Sequence, residues 1–178
     1  MIGAQPQERR ALNPKSRRAL TQGEIALAKE TFGARIDYGA VAVRQGSGGN
    51  PVAWLALLGS RADAVTLIRT IFFKTLDADF SKGGCAGLFL HEMTHIWQYQ
   101  ALGPLRFYWR YLRELLAAGL RQSDLYRYDH GTTAFAEARL EAQAQMVQDY
   151  HKIRAAAGDP AALAAIGRNL AGSGFHGL

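Results

Sequence analysis

The amino-acid sequence predicts an α+β fold in which a small β-sheet packs against one buried helix and several further helices. Residues 65–73 are rich in β-branched and aromatic side chains, which is typical of a strand. Residues 88–98 are apolar on most sides of a helix, which indicates that this helix is buried. Residues 134–157 consist mainly of strong helix formers and predict a long helix.

Composition limits the classes of protein that fit this chain. Its 178 residues have the length of one domain, and the hydrophobic fraction of 48% is that of a globular protein. The one cysteine, Cys85, excludes an internal disulfide framework and a multi-cysteine zinc module, and its expected role is core packing. No stretch approaches about 18 consecutive apolar residues, so no membrane partner is expected. The N-terminus has no apolar core before a cleavage site, which predicts a cytoplasmic protein and leaves open export by a machinery that needs no cleavable signal.

Most of the net charge of +6 lies in the first 20 residues, which hold five basic residues and one acidic residue, or +4. Two prolines and the lack of interleaved aromatic residues favour a solvated, disordered leader over a nucleic-acid-binding arm. The predicted organisation is therefore a basic leader at 1–20, a folded domain at 21–172 and a flexible, glycine-rich tail at 173–178.

The first half of the chain begins with a clear helix signal. Thr21 and Glu24 form a capping box, in which each side chain satisfies a backbone donor of the other residue. The elements expected up to residue 84 are a helix at 24–32 that ends at Gly33, short strands at 35–38 and 41–43, a loop at 46–51, an apolar run at 52–58 that periodicity does not assign, the strand at 65–73 and a polar stretch at 77–84.

The second half is predicted to be helical. Its expected elements are the buried helix ending near Gly103, a helix at 105–120, a loop at 122–133, the long helix at 134–157 and a last helix at 161–170. Apolar residues recur at helical spacing on the second of these helices and are interpreted as core: Phe107, Tyr111, Leu112, Leu115 and Leu116.

The buried helix carries the motif His-Glu-x-x-His at residues 91–95. Residues four apart share one face of a helix, so His91 and His95 can both reach one metal ion at about 2.0–2.1 Å. The Glu92 side chain points away from the two histidines, towards the open side of the metal, where it can take a proton from water. The alternative is a set of surface polar residues on an ordinary helix. The apolar flanks argue against it, because buried polar groups without partners are costly and a metal ion would supply one.

A catalytic zinc normally has three protein ligands and one water. The pattern with a third histidine after a glycine is absent, because Gln98 and Ala101 occupy those two positions. Glu137 and Glu141 remain as candidates, since they are four apart on the predicted 134–157 helix and either can face the motif. Glu141 is favoured, because small residues follow it and let two helix backbones approach closely.

The loop before that helix offers groups that could stabilise negative charge on an attacked carbonyl oxygen. Tyr126, Tyr128 and His130 lie there, and Tyr128 and His130 join Glu92 as the predicted catalytic residues. Packing is an equally good interpretation of each loop residue. Metal-bound imidazoles normally donate their outer N–H group to an acceptor, and the conceivable acceptors are Asp37, Gln145 and Asp149.

Several segments resemble one known family. Residues 91–100 read HEMTHIWQYQ, residues 141–150 read EAQAQMVQDY, and the likeness extends back to residues 20–24 and 32–38. They resemble the Vgr-related zincin-like proteins of bacteria, which are metallopeptidase-type domains, some fused to or encoded near type VI secretion spike proteins. The resemblance implies a zincin-like fold, with His91, His95 and Glu141 as zinc ligands and Glu92 as catalytic base. One departure is Gln145, where the wider pattern has an aspartate, and it leaves open which residue holds the ligand histidines in place.

The resulting hypothesis is a zinc-dependent metallopeptidase that hydrolyses peptide or cell-wall amide bonds, with Glu92 as general base. The alternative is a non-catalytic metal-binding protein that serves the assembly of a type VI secretion or phage-like spike. The partners considered are a peptide or peptidoglycan-type substrate and, through the resemblance, a secretion spike or an immunity protein.

Overall fold

The computed structural model describes residues 17–59, 63–75 and 79–175. This part of the chain is an α+β fold with one four-stranded sheet and six α-helices, which confirms the predicted class. The strands are β1 (Arg17–Ala19), β2 (Ala42–Gln45), β3 (Ala64–Leu67) and β4 (Thr70–Phe73). The helices are α1 (Gln22–Phe32), α2 (Pro51–Gly59), α3 (Ala86–Leu102), α4 (Pro104–Ala117), α5 (Leu140–Ala155) and α6 (Pro160–Leu170).

The sheet has the strand order β1-β2-β4-β3. β1 is antiparallel to β2, β2 is parallel to β4, and β4 is antiparallel to β3. β3 therefore lies at an edge of the sheet, and among the described residues it pairs with β4 alone. This edge faces the candidate site described below.

The stretch predicted as one strand, residues 65–73, is instead a β-hairpin. Ala64 pairs with Phe73 and Leu67 pairs with Thr70, so the chain reverses at Ile68 and Arg69. Ile68 has a φ of 57°, which is rare for a β-branched residue. The segment lacks the Gly, Asn, Asp or Pro that normally marks such a turn, so its uniform strand propensity concealed the reversal.

Two neighbouring segments also differ from expectation. Residues 35–38 are not a strand. Residues 35 and 36 form a bend, and the 3-10 turn Tyr38–Ala40 follows before β2 begins. The unassigned apolar run becomes helix α2. The Asn50 side chain accepts hydrogen bonds from the backbone N–H groups of Val52 (2.9 Å) and Ala53 (3.1 Å), and Pro51 starts the helix.

Helix α1 begins with the predicted capping box. The Thr21 hydroxyl accepts from the Glu24 N–H at 3.1 Å, and the Glu24 carboxylate accepts from the Thr21 N–H at 2.8 Å. That buried carboxylate also accepts from the Arg18 guanidinium and from the Phe80 N–H. Arg18 lies in β1, so the described structure includes residues that the sequence analysis assigned to the leader. Gly33 ends the helix at a φ of 56°.

The described structure continues to Phe175, past residue 172. Phe175 is buried, and its ring packs against Phe32 and Trp97 at centroid distances of 5.0 Å and 4.9 Å. The Phe175 side chain is therefore part of the hydrophobic core. Residues 1–16 and 176–178 of the predicted leader and tail lie outside the described residues.

The long helix predicted at 134–157 is shorter, because α5 begins at Leu140. The Glu114 carboxylate of α4 accepts a hydrogen bond from the Leu140 N–H at 2.9 Å, and this fixes the helix start from outside the segment. Phe135 is buried in the core, and its carbonyl accepts from the Gln143 side chain. Residues 134–139 thus form turns despite their helical propensity.

Helices α3 and α5 pack against each other at the centre of the molecule, and α3 is buried along most of its length, as predicted. Helix α4 departs from its predicted role. Phe107 is buried and Tyr111 is half-buried, whereas Leu112 and Leu116 are exposed, so the apolar stripe is core only on one side. Within the described part of the chain, no helix has both the length and the apolar character needed to cross a bilayer.

Candidate metal centre

Helices α3 and α5 bring three buried ligand groups together. His91 and His95 come from α3, and Glu141 comes from the first turn of α5. Glu141 Oε2 lies 3.4 Å from His91 Nε2 and 3.2 Å from His95 Nε2, and one ligand atom of each residue lies within 4.8 Å of the others. Such a group could hold a metal ion.

The measured spacing fits a small tetrahedral ion. Donor atoms at about 2.0–2.1 Å from a tetrahedral zinc lie about 3.3–3.4 Å from one another, from elementary geometry. The two distances from Glu141 Oε2 match that value. Two imidazoles and one carboxylate are also the donor set of one class of catalytic zinc site. The residues present therefore fit zinc in their chemistry and in the two donor separations that involve Glu141.

The electrostatics of the group favour a positive charge between its members. Burial is the largest single influence on His95 and lowers its pKa, but the charge and hydrogen bond of Glu141, the charge of Glu92 and the contact with Gln98 together outweigh it and raise the pKa to about 9. Burial raises the pKa of Glu141, but the two imidazoles outweigh burial and hold it well below its usual range. A negative carboxylate is thus stabilised here next to a proton or a metal cation.

Gln98 holds His95 in place through the outer nitrogen of the imidazole. His95 Nδ1 lies 2.8 Å from Gln98 Oε1, and a neutral imidazole that donates from Nδ1 presents the Nε2 lone pair to the metal position. The Gln98 amide then donates to the Leu140 carbonyl at 3.0 Å and to Gln143 Oε1 at 2.9 Å. The network links the ligand of α3 to the start of α5, where Glu141 lies.

Glu92 lies beside the three ligand groups and faces the same cavity. It is buried, and its Oε2 accepts a hydrogen bond of 2.7 Å from the Thr66 hydroxyl. Thr66 is part of β3, so the edge strand orients this carboxylate. Glu92 therefore lies next to the ligand group and is not one of its three members.

The ligand group opens onto a cavity of about 690 Å³. Its walls come from α2, β3, α3, α4, α5 and the 3-10 turn Gln122–Tyr126. Tyr126 lines this cavity near Glu141, and its ring lies 5.9 Å from that of His91. Burial, and then the charge of Glu141, raise the pKa of Tyr126, so its hydroxyl remains protonated as a donor.

Two predicted catalytic residues lie elsewhere. The Tyr128 hydroxyl donates to Asp149 Oδ2 at 3.0 Å, and its ring stacks on His130 at 5.0 Å. Neither Tyr128 nor His130 is among the described residues that line the cavity. Glu137 is exposed and precedes α5, so the structure brings Glu141 and not Glu137 to the histidines.

The proposed acceptors Asp37, Gln145 and Asp149 do not contact the outer imidazole nitrogens in the described residues. His95 uses Gln98, and the buried Nδ1 of His91 has no hydrogen-bond partner there. The sequence carried a signal for Gln98, because it follows His95 by three residues and so shares its helix face. It carried no such signal for Thr66, which is brought to Glu92 by tertiary packing.

No protein-family model matches the chain. The chain is similar to the type VI secretion system spike protein VgrG2b of Pseudomonas aeruginosa, with 34% identity over 139 residues, or 75% of this chain. It spans 13% of the length of that curated relative. Among solved structures it is similar to the effector domain of Pseudomonas aeruginosa VgrG2b. That match has a TM-score of 0.61 and 30% identity, and it covers 90% of this chain and 85% of that domain.

Proposed function

The chain belongs to the family of the VgrG2b effector domain, and we propose that it is a zincin-like zinc metallopeptidase that hydrolyses peptide or cell-wall amide bonds. The observation that carries this proposal is the buried group of His91, His95 and Glu141 with Glu92 beside it, at the wall of a large cavity. The relationship to a secretion-spike effector domain supports a role related to type VI secretion.

Zinc held by His91, His95 and Glu141 would supply Lewis-acid chemistry, making water a nucleophile near neutral pH and polarising a carbonyl oxygen. Glu92 is the general base of the proposed reaction. Its carboxylate accepts a proton from the attacking water and delivers it to the leaving amine. The Thr66 hydroxyl orients that carboxylate through its hydrogen bond to Oε2, which keeps the accepting oxygen in a fixed position.

Tyr126, rather than Tyr128 or His130, takes the role of stabilising charge in this proposal. Its protonated hydroxyl lines the cavity next to Glu141, where it can donate to the oxygen that becomes negative during attack. The Tyr128 hydroxyl is engaged by Asp149 and does not line the cavity.

The edge strand β3 supplies a place for an extended substrate. Residues 63–67 line the cavity, and among the described residues β3 pairs only with β4. A peptide in extended form could add to this strand through backbone hydrogen bonds and so cross the face of the ligand group. This supports a peptide-like polymer as substrate.

An open cavity distinguishes this proposal from a purely structural metal site. Structural zinc sites are closed by four protein ligands, whereas catalytic sites keep one position open. Here three ligand groups converge and the cavity lies in front of them. A non-catalytic role in spike assembly would leave Glu92, Thr66 and the cavity without a purpose.

We propose that the chain is exported with a type VI secretion spike and meets its substrate outside the producing cell, where an immunity protein would protect the producer's neighbours. Support comes from the relationship to a spike-protein effector domain.

The test is Glu92→Gln, compared with the unchanged chain and with the matched control Glu137→Gln on the protein surface. We measure bound zinc by mass spectrometry and the cleavage of unstructured peptides and of purified peptidoglycan. Glu92→Gln is expected to keep its zinc and to lose about a hundredfold or more of the rate, because a positioned general base contributes that much. Full hydrolysis by Glu92→Gln, or an unchanged chain that binds no zinc, would contradict the proposal.

A further inference from the structure

Helix α4 exposes a continuous apolar face to solvent. Phe107 anchors the opposite side of the helix in the core, while Trp109 is 65% exposed and Leu105 is 87% exposed. Leu112 and Leu116 continue this face along the helix and are also exposed. Four large apolar side chains exposed side by side are unusual on a protein surface, and they indicate contact with an apolar partner or with a lipid membrane.

Arginine side chains border this face. Arg106 and Arg113 are exposed and seven residues apart, so they lie along one edge of the apolar face. Arg110, on the same side, is bound to Glu114, the one acidic residue of α4. The free charge along this edge is therefore positive.

Helix α2 exposes a second apolar face. It contains no charged residue, and only its inner side packs, where Ala53 and Leu57 contact Phe72 of β4. On the outer side Trp54 is 56% exposed and Leu55 is 65% exposed. Leaving these side chains in water is costly, so this face too is suited to an apolar environment.

The two helices border one cavity. Ala56 of α2 and Tyr108 of α4 both line the cavity that contains the ligand group. The apolar faces therefore flank a single opening, and a surface that met both helices would also meet the cavity.

We propose that α2 and α4 dock the protein on the surface of an anionic lipid bilayer. An amphipathic helix with Trp and Leu on one face and arginine beside it is the composition that lies in the interface of such a bilayer. Arg106 and Arg113 complement the negative headgroups, and Trp54 and Trp109 are of the residue type that concentrates at the interface. At 14 residues α4 lies on the bilayer and does not span it. The docking does not depend on hydrolysis.

The test uses the full chain with vesicles of phosphatidylglycerol and phosphatidylcholine, and with vesicles of phosphatidylcholine alone. Co-sedimentation measures binding, and brominated lipids measure quenching of tryptophan fluorescence. The unchanged chain is expected to bind the anionic vesicles about tenfold or more tightly than the neutral ones, because the arginines contribute only there. Quenching should arise mainly from the exposed Trp54 and Trp109, since Trp97 is partly buried and packs against Phe135 and Phe175.

Two double variants separate the apolar from the charged contribution. Trp109→Gln with Leu112→Gln, and Arg106→Gln with Arg113→Gln, are each expected to bind about tenfold more weakly. The matched charge control is Lys152→Gln with Arg154→Gln, exposed on α5, and it should bind as the unchanged chain does. Unfolding temperatures verify that all variants fold, which their exposed positions favour.

Three outcomes would overturn the proposal. The first is that the unchanged chain binds no vesicles, and the second is that both double variants bind as well as it does. The third is self-association in lipid-free solution that Trp109→Gln with Leu112→Gln abolishes, since the face would then be an interface between copies of this chain.

Discussion

Gln98 carries out two tasks with one side chain. Its carbonyl oxygen accepts from His95, and its amide donates to the Leu140 carbonyl and to Gln143. The orientation of one proposed ligand on α3 is thereby tied to the helix that carries Glu141. An amide suits this place, because a carboxylate could accept from His95 but could not donate to α5.

We therefore predict that Gln98→Ala lowers zinc affinity by about 10–100-fold, as loss of a partner of a ligand histidine does. Gln98→Glu keeps the contact with His95 and loses both donations to α5. It should retain most of the zinc affinity while the unfolding temperature falls. Titration against a chromogenic chelator and thermal unfolding measure the two quantities, and Gln100→Ala on the same helix is the control. Equal zinc affinity in Gln98→Ala and the unchanged chain would refute the positioning role.

The proximity of His91, Glu92 and His95, the proposed ligand pair and the proposed base, was predictable from the sequence because their helical spacing is a local property. The choice of Glu141 depended on which residues of a distant helix face α3. Residue spacing alone left Glu137 and Glu141 open, and the resemblance favoured Glu141. Tyr126 could not be separated from Tyr128, since the path of an irregular loop decides which ring reaches the cavity.

At the scale of elements, the start of α5 shows how a neighbour sets a helix boundary. Glu114 of α4 accepts the Leu140 N–H and also binds Arg110. Glu141 follows immediately, so the cap fixes the residue that completes the ligand group. The Thr21 and Glu24 capping box was predictable because both partners are local in sequence. The α5 start was not, because it depends on a contact between distant segments. The hairpin at Ile68 was not, because none of the usual turn residues marks the reversal.

Glu114→Ala is expected to reduce the free energy of unfolding by about 1–2 kcal/mol, the usual cost of losing a helix cap. Zinc affinity should fall as well, because the first turn of α5 would fray next to Glu141. Denaturant unfolding and chelator competition measure these effects. Glu137→Ala is the matched control, because this exposed glutamate precedes the same helix without forming its cap. A zinc affinity unaffected by Glu114→Ala would show that the cap and the ligand group are independent.

At the scale of the whole molecule, the fold has a core that does not require the metal. Phe89, Met93 and Ile96 of α3 are fully buried among apolar side chains of the sheet and the other helices. The ligand group occupies the opposite face of α3, towards the cavity. The α+β class could be predicted from composition and apolar pattern because both reflect this core, which does not depend on the metal.

Removal of zinc by a chelator is accordingly expected to leave a folded protein. At zinc concentrations about a hundredfold above the dissociation constant, binding should add about 3 kcal/mol to the free energy of unfolding. The unfolding temperature should fall on chelation and return on addition of zinc, while the circular dichroism spectrum keeps its helical signal. Loss of that signal on chelation would show that the metal holds the fold together.

The edge position of β3 limits what the proposed enzyme can attack. A free strand edge recognises the main chain, which is the same in every protein, and not a particular series of side chains. Under the proposed function, selection would then follow the shape of the target more than its sequence. Segments already paired inside a folded domain cannot add to β3, so such a domain would be protected until local unfolding released a stretch of its chain.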